Sequence, residues 1–179
     1  MVYMTMENLD IHTEDKEQLV GEVIRNLESD GYEVEEVNTS KPWGAYVRLA
    51  NQDADRFIEQ YFKEVTPQEA RLGVDGLELS PKILVVTPGQ RLSWQYHHRR
   101  AERWTFLTKG GFHTSTTDEE GSLHRVNPGY NLQIECGERH RLVGDDHDYT
   151  VVAEIWQHVN KELPSNEDDI IRLQDDYQR

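Results

Sequence analysis

Four side chains able to bind a metal ion lie in two short stretches of the sequence. Gln95, His97 and Glu102 are close together, and His140 follows a glycine turn further along the chain. If residues 91–97 form a strand, Gln95 and His97 point to the same face, because side chains alternate along a strand. Two imidazoles, a carboxylate and an amide oxygen suit zinc, iron, manganese, nickel or cobalt without selecting one. A divalent metal site is one interpretation of this pattern, with substrate orientation as the alternative role for Gln95. The alternative for His97, Glu102 and His140 is structural, namely packing and hydrogen bonding at the end of a barrel, because a single histidine on a strand is more often structural than a ligand.

Two arginines adjoin this candidate site. Arg99 and Arg100 lie between His97 and Glu102, where a turn is expected to join two strands. Guanidinium groups at such a turn can bind an anionic substrate, since arginine forms paired hydrogen bonds with phosphate and carboxylate groups. Solvent exposure without a binding role is the alternative for both, because arginine is common on protein surfaces.

The segments around the site have the character of an all-β fold. From about Leu77, short stretches rich in Val, Ile, Leu, Trp and Tyr alternate with turn residues. Strands of this length and spacing predict an antiparallel sandwich or barrel. The turns fall at residues 88–89, 109–111, 118–121, 127–129, 136–137 and 144–146.

The first part of the chain is predicted to be helical. Apolar residues from Leu19 to Leu27 recur at helical spacing, Thr13 is the expected N-cap, and Gly31 is a natural end. We therefore predict an N-terminal helical extension over residues 1–40, packed on a barrel domain of residues 41–179. A second amphipathic stretch predicts a helical insertion near residues 53–74, and residues 166–177 are expected to form a short helix or an extended tail.

Composition restricts the partners and the compartment. The chain has 34 acidic and 19 basic residues and a net charge of −15, which repels nucleic-acid backbones. An anionic metabolite would need a local cluster of lysine and arginine. Cys136 is the sole cysteine, and no apolar run approaches the ~20 residues that span a bilayer. Because residues 1–15 also lack the apolar core of a signal peptide, we predict a cytoplasmic protein without nucleic-acid or membrane partners.

The candidate site carries the motifs of a known family. Residues 88–111 read PGQRLSWQYHHRRAERWTFLTKGG, and G-x-x-H follows at residues 137–140. The Q-x-H-x4-E and G-x-x-H patterns are similar to the two motifs of the cupin superfamily. More closely, the segment resembles the C-terminal isomerase domain of type II phosphomannose isomerases, which has PG-x-RLSLQ, a histidine-rich stretch and RAE-x-W. KPWG at residues 41–44, EDDIIR at 167–172 and DYQR at 176–179 look like further landmarks of that family.

The resemblance implies a mainly β cupin (jelly-roll) barrel and a specific reaction. That reaction is the metal-dependent interconversion of mannose 6-phosphate and fructose 6-phosphate, an aldose–ketose isomerisation through a cis-enediol intermediate. Zinc is the expected metal, with iron, manganese, nickel and cobalt as alternatives. Lys82 and Arg179 stand where the family has a lysine before a strand and a final arginine, which implies a phosphate-binding or catalytic role. Pairing through exposed sheet edges predicts a homodimer.

Some positions depart from the family pattern. Glu135 replaces a proline, Gln178 replaces a glycine, and the glycine closing the first motif comes one residue late, as Gly110. No metal ligand is lost, but the sugar phosphate and the activity stay open. The alternatives are an iron-dependent oxygenase and a cupin that binds sugar or metal without turnover. The general base is not identified, although a His, Glu or Lys near the metal could serve.

Overall fold

Two antiparallel β-sheets form the body of the protein. A computed structural model describes Met6 and residues 8–179 of the chain. In it the six-stranded sheet has the order β1-β2-β3-β10-β5-β8 and the five-stranded sheet the order β11-β4-β9-β6-β7. The strands are β1 (Val34–Asn38), β2 (Gly44–Leu49), β3 (Lys82–Val86), β4 (Trp94–Tyr96), β5 (Arg100–Phe106), β6 (Gly110–Ser115), β7 (His124–Val126), β8 (Asn131–Ile134), β9 (Arg139–Val143), β10 (Thr150–His158) and β11 (Ile171–Gln174).

Short helices accompany the sheets in the first part of the chain. They are α1 (Lys16–Ser29), a 3-10 turn (Asn51–Asp53), α2 (Ala54–Tyr61) and α3 (Pro67–Ala70). Helix α1 ends before Gly31, whose φ of 83° is favourable for glycine. The first forty residues also contribute strand β1, which pairs with β2. No helix among the described residues has the length and apolar character needed to cross a membrane.

The predicted N-cap of α1 is wrong by two residues. Asp15 rather than Thr13 caps the helix, and its carboxylate accepts a hydrogen bond from the backbone N–H of Gln18. The Thr13 hydroxyl instead accepts the backbone N–H of Asp15. A carboxylate at this position also complements the positive end of the helix dipole, which a hydroxyl cannot do.

Strands β3 and β10 are buried on both faces because helices cover the outside of the six-stranded sheet. Ile83 and Val85 of β3 pack with the apolar face of α1 and with α2 in one core cluster. Leu84 and Val86 point the other way, into a second cluster that includes Leu142 of the opposite sheet. Side-chain alternation thus assigns even-numbered residues of β3 to the space between the sheets.

The same alternation holds in β10 and β5. Val152 and Trp104 belong to the inner cluster, so Glu154 and Glu102, two residues away, have the same inward direction. Antiparallel pairing sets Glu154 opposite both Lys82 on β3 and Trp104 on β5. The sheet therefore gathers charged side chains at one end of an otherwise apolar interior.

The C-terminal residues complete the second sheet. Strand β11 pairs with β4, where Ile171 faces Tyr96 and Arg172 faces Gln95. Of the two forms predicted for this segment, the extended one is confirmed. The segment lies against the strand that leads to His97, so it contributes to the geometry of the candidate site.

Candidate active site

Three of the predicted metal ligands converge between the sheets. His97, Glu102 and His140 are all buried, and each offers a ligand atom within 4.8 Å of the others. Nε2 of His97 lies 3.0 Å from Oε1 of Glu102, and Nε2 of His140 lies 3.5 Å from Oε2. The loop after β4, strand β5 and strand β9 each supply one of the three groups.

Hydrogen bonds fix the orientation of both imidazoles. Nδ1 of His97 lies 2.6 Å from the backbone oxygen of Asp169, and Nδ1 of His140 lies 2.9 Å from that of Glu138. Because a carbonyl oxygen only accepts, Nδ1 carries the proton and donates in each ring. In the neutral imidazole the lone pair of Nε2 then points towards Glu102. Metal-bound histidines are usually oriented in the same way, by a hydrogen bond from the other ring nitrogen.

These residues fit a divalent metal ion. Nε2 of His140 is buried and, among the described residues, has no hydrogen-bond partner. A buried polar atom without a partner costs about 1–3 kcal/mol, which a bound cation would offset. A cation would also relieve the close approach of the Nε2 lone pairs to the carboxylate oxygens of Glu102. Two imidazoles and a carboxylate are ligands that zinc and the neighbouring divalent metals accept.

Glu102 is held in its anionic form. Its burial opposes ionisation, but its interactions with His97 and Arg100 outweigh that effect and hold the pKa of the carboxyl well below its usual range. A carboxylate that is ionised at neutral pH can bind a metal without first losing a proton.

Gln95 lies beside this cluster. It pairs with His140 between β4 and β9 and lines the same cavity as Glu102. Its side-chain oxygen accepts a hydrogen bond from the Ser93 hydroxyl. An amide oxygen has two lone pairs, so one remains for a metal or for a substrate hydroxyl.

The two predicted substrate-binding arginines occupy different places. Arg100 is buried rather than solvent-exposed, and its Nε donates to Oε1 of Glu102 at 3.0 Å. Its guanidinium also donates to Ser165 and to the backbone oxygen of Asn166, and it lies 4.1 Å from the Trp156 ring centre. Arg100 is therefore a fixed positive charge on the wall of the site.

Arg99 does not reach the cavity. Its guanidinium donates to the backbone oxygen of Pro164 at 2.9 Å and to the side chain of Asn166 at 3.2 Å. Among the described residues, Arg99 is not one of those that line the cavity. The structure thus places Arg99 against the C-terminal segment, while Arg100 turns inward from the next position.

The cavity beside the cluster is rich in positive charge. Lys82 is 6% exposed, with its Nζ 4.3 Å from the Trp156 ring centre and 3.5 Å from Oε1 of Glu167. Arg179 lines the same cavity, and its Nε donates to Asp175 at 2.9 Å. The charged lining residues are Lys41, Lys82, Arg100, Arg172 and Arg179, with Glu102, Glu154 and Glu167.

Several of these residues had no predicted role. Glu154 is an acidic residue within the apolar strand TVVAEIWQH, a signal that a buried charge serves some purpose. Arg172 lies in the EDDIIR segment and Lys41 in KPWG, both already singled out as motifs. Their nearness to the cavity depends on pairing between distant strands, which sequence spacing does not show.

Two antiparallel sheets enclosing a His–Glu–His cluster define a cupin barrel, which confirms the predicted fold. Solved structures agree. The capsular polysaccharide assembling protein CapF from Staphylococcus aureus aligns with a TM-score of 0.54 and 14% identity, covering 80% of this chain and 35% of that one. Another crystal structure of the same protein aligns with a TM-score of 0.52 and 16% identity, covering 88% of this chain and 38% of that one. This chain thus spans little more than a third of the CapF length.

The chain belongs to the family described as mannose-6-phosphate isomerase C-terminal, which matches residues 73–175, more than half of the sequence. The predicted resemblance is confirmed at this level. A putative sugar phosphate isomerase from Acidithiobacillus ferrooxidans is also similar, with a TM-score of 0.40 and 19% identity over 45% of this chain and 51% of that one. No curated protein matches the sequence.

Proposed function

We propose that this protein is a metal-dependent aldose–ketose isomerase that interconverts mannose 6-phosphate and fructose 6-phosphate. The observation that carries the proposal is the pair of imidazoles whose Nε2 atoms face Glu102 at the edge of a cationic cavity. Membership of the mannose-6-phosphate isomerase C-terminal family supports the substrate class.

The proposed metal ligands are His97, Glu102, His140 and Gln95, and zinc is the proposed metal. When bound, the ion supplies Lewis-acid polarisation of the sugar carbonyl and the neighbouring hydroxyl oxygen. Arg100 and its hydrogen bonds keep Glu102 ionised and fixed in position. No redox change is required of the metal, which distinguishes this reaction from an oxygenase.

The phosphate group is proposed to bind to the lysine and arginine side chains of the cavity. Lys82 is buried against Trp156, and its positive charge attracts a phosphate more strongly there than in water because the surroundings are less polar. Arg179 and Arg172 come from the C-terminal segment and line the same cavity as Lys82. Such a local cluster overcomes the repulsion expected from a net charge of −15. Arg99 is proposed to hold the C-terminal segment rather than the substrate.

The function is tested by turnover in matched variants. Protein purified without a metal-binding tag is assayed for conversion of mannose 6-phosphate to fructose 6-phosphate before and after chelation and zinc restoration. His97→Ala is expected to lose at least a hundredfold in kcat/KM. His98→Ala is the control, because that neighbouring ring is exposed and packs on Tyr96 outside the cluster. Equal turnover in both variants would contradict the proposed site.

One observation favours a second candidate function. Arg100 already contacts two of the proposed ligands, with Nε bonded to Glu102 and Nη2 3.4 Å from Nε2 of His97. A guanidinium in this position can hold the two groups together without a metal. A sugar-phosphate-binding cupin without turnover would then bind mannose 6-phosphate in calorimetry, take up no zinc and catalyse no conversion.

A further inference from the structure

We propose that Glu154 is the acid–base group that moves the proton between the two reacting sugar carbons. This inference rests on the proposed isomerase function. Glu154 points from the middle of β10 into the interior, in register with Lys82 on one side and Trp104 on the other. It lines the cavity together with Glu102 and is only 7% exposed.

Glu154 is a buried carboxylate that no cation neutralises by direct contact. Within the described residues it forms no ion pair, and its one hydrogen bond is donated by the Trp104 indole to Oε2 at 3.0 Å. Burying an acid without a paired cation is costly, so such a group persists where it has a task. The indole holds one oxygen in place and leaves Oε1 available to a molecule in the cavity.

The other two carboxylates that line the cavity already have partners. Glu102 contacts both histidines and Arg100, which assigns it to the metal site. Glu167 is 74% exposed in its side chain and pairs with Lys82 at the mouth of the cavity. Lys82 carries a positive charge that this pairing and the Trp156 ring stabilise. Among the described residues that line the cavity, Glu154 is the remaining buried carboxylate.

The environment of Glu154 suits a group that both accepts and releases a proton. Burial, and then the negative charge of Glu102, raise its pKa to about 7, while Lys82, Arg100 and the Trp104 hydrogen bond act in the opposite direction. Acid–base groups work best when their pKa lies near the working pH. The two glutamates thus differ in role: Glu102 is ionised at the metal site, and Glu154 is able to change its protonation state.

The proposed step conserves every atom and electron. Glu154 takes the proton from C2 of the aldose, and the electron pair of that C–H bond becomes the C1–C2 double bond of the enediol. The carbonyl π electrons move to O1, and the proton of the O2 hydroxyl is transferred to O1. As the C2 carbonyl forms, Glu154 returns its proton to C1, which gives the ketose and restores the carboxylate.

The experiment compares Glu154→Gln with wild-type protein loaded with zinc. Exchange of the C2 hydrogen of mannose 6-phosphate with D2O is followed by NMR alongside kcat, KM and bound zinc. We expect kcat and hydrogen exchange to fall together by 10²–10⁴-fold, the usual contribution of a general base, with KM and zinc content nearly unchanged. Glu154→Asp keeps a carboxylate and is expected to recover part of the exchange. Exposed Glu119→Gln controls for the loss of one negative charge.

The possible results separate this proposal from the function on which it rests. Full exchange and turnover in folded Glu154→Gln would overturn the role of Glu154 and leave the isomerase intact. Loss of turnover with a matching loss of zinc, or of the thermal unfolding transition, in both Glu154 variants would assign Glu154 a structural role and also overturn the proposal. A zinc-loaded wild-type protein that neither exchanges hydrogen nor converts the sugar would refute the isomerase itself.

Discussion

At the residue scale, the direction of two ring nitrogens decides what the site can bind. The backbone oxygens of Asp169 and Glu138 take the Nδ1 protons, so each Nε2 is left to face Glu102. His97 has Arg100 near its Nε2, whereas the Nε2 of His140 has no partner among the described residues. His140 is consequently the residue for which a bound metal makes the largest difference.

Zinc should stabilise the protein only when this nitrogen is present. A ligand that binds the folded state at a hundred times its Kd raises the free energy of unfolding by about 2.7 kcal/mol. We expect saturating zinc to raise the Tm of the chelated wild-type protein by several degrees and to leave that of His140→Ala almost unchanged. Calorimetry with His98→Ala as control measures both. An identical zinc shift in His140→Ala would remove His140 from the ligand set.

The sequence was most informative at this scale. The predicted strand over residues 91–97 is shorter in the structure, where β4 covers Trp94–Tyr96 and His97 lies just after it. Pairing of Gln95 with His140 brings the two motifs together, and His97 and His140 lie in one cluster with Glu102.

The sequence was less informative for Arg100, whose neighbour Arg99 has the same chemistry and the opposite environment. Side chains alternate between the two faces of a strand, so a shift of one residue decides which arginine is buried. Residue type alone does not predict that choice.

At the element scale, the C-terminal segment shapes the site. Asp169 accepts the backbone N–H groups of His98 and Arg99, and its own backbone oxygen orients His97. Further along, the Asp175 carboxylate accepts hydrogen bonds from the guanidinium and the backbone N–H of Arg179, which hold the final arginine beside the cavity. Helix and strand were both compatible with Ile170, Ile171 and Leu173, since only the distant pairing with β4 selects the strand.

Acid should release this end of the chain. Burial opposes the ionisation of Asp175, but hydrogen bonds from Arg179 and Tyr177 outweigh it and lower the pKa of the carboxyl. A lowered pKa means that this stabilisation is complete above the unfolded value of about 4 and is lost as the pH falls towards the native value. Denaturant unfolding between pH 6 and 3 should show a steeper decline for wild-type protein than for Asp175→Asn. Parallel curves would contradict the prediction.

At the scale of the whole molecule, the helices and the sheets have separate tasks. Helices α1 and α2 cover the outer face of β3 and β10, while the candidate site lies on the inner face. Because both faces are buried, these strands show no polar alternation, and the inward direction of Lys82 and Glu154 was hidden in the sequence. The barrel itself was predictable from strand spacing and motif order.

A cavity in the helical cover should weaken the fold without touching the site. Leu27 of α1 is fully buried in the outer cluster. Leu27→Ala is expected to lower the free energy of unfolding by about 2–5 kcal/mol, the range for buried leucine truncation. Zinc content and kcat, both measured at a temperature 20 °C below the Tm of the variant, should equal those of the wild-type protein at the same temperature. A loss of zinc in the folded variant would show that α1 contributes to the metal site.

We propose that the cluster of His97, Glu102 and His140 holds a metal that the isomerisation requires. Elemental analysis of untagged wild-type protein, followed by the mannose 6-phosphate assay on the same sample, tests it most directly. We expect about one zinc per chain in the wild type, little in His97→Ala, and turnover that follows the zinc content. No bound metal after reconstitution with zinc, iron, manganese, nickel or cobalt would contradict it.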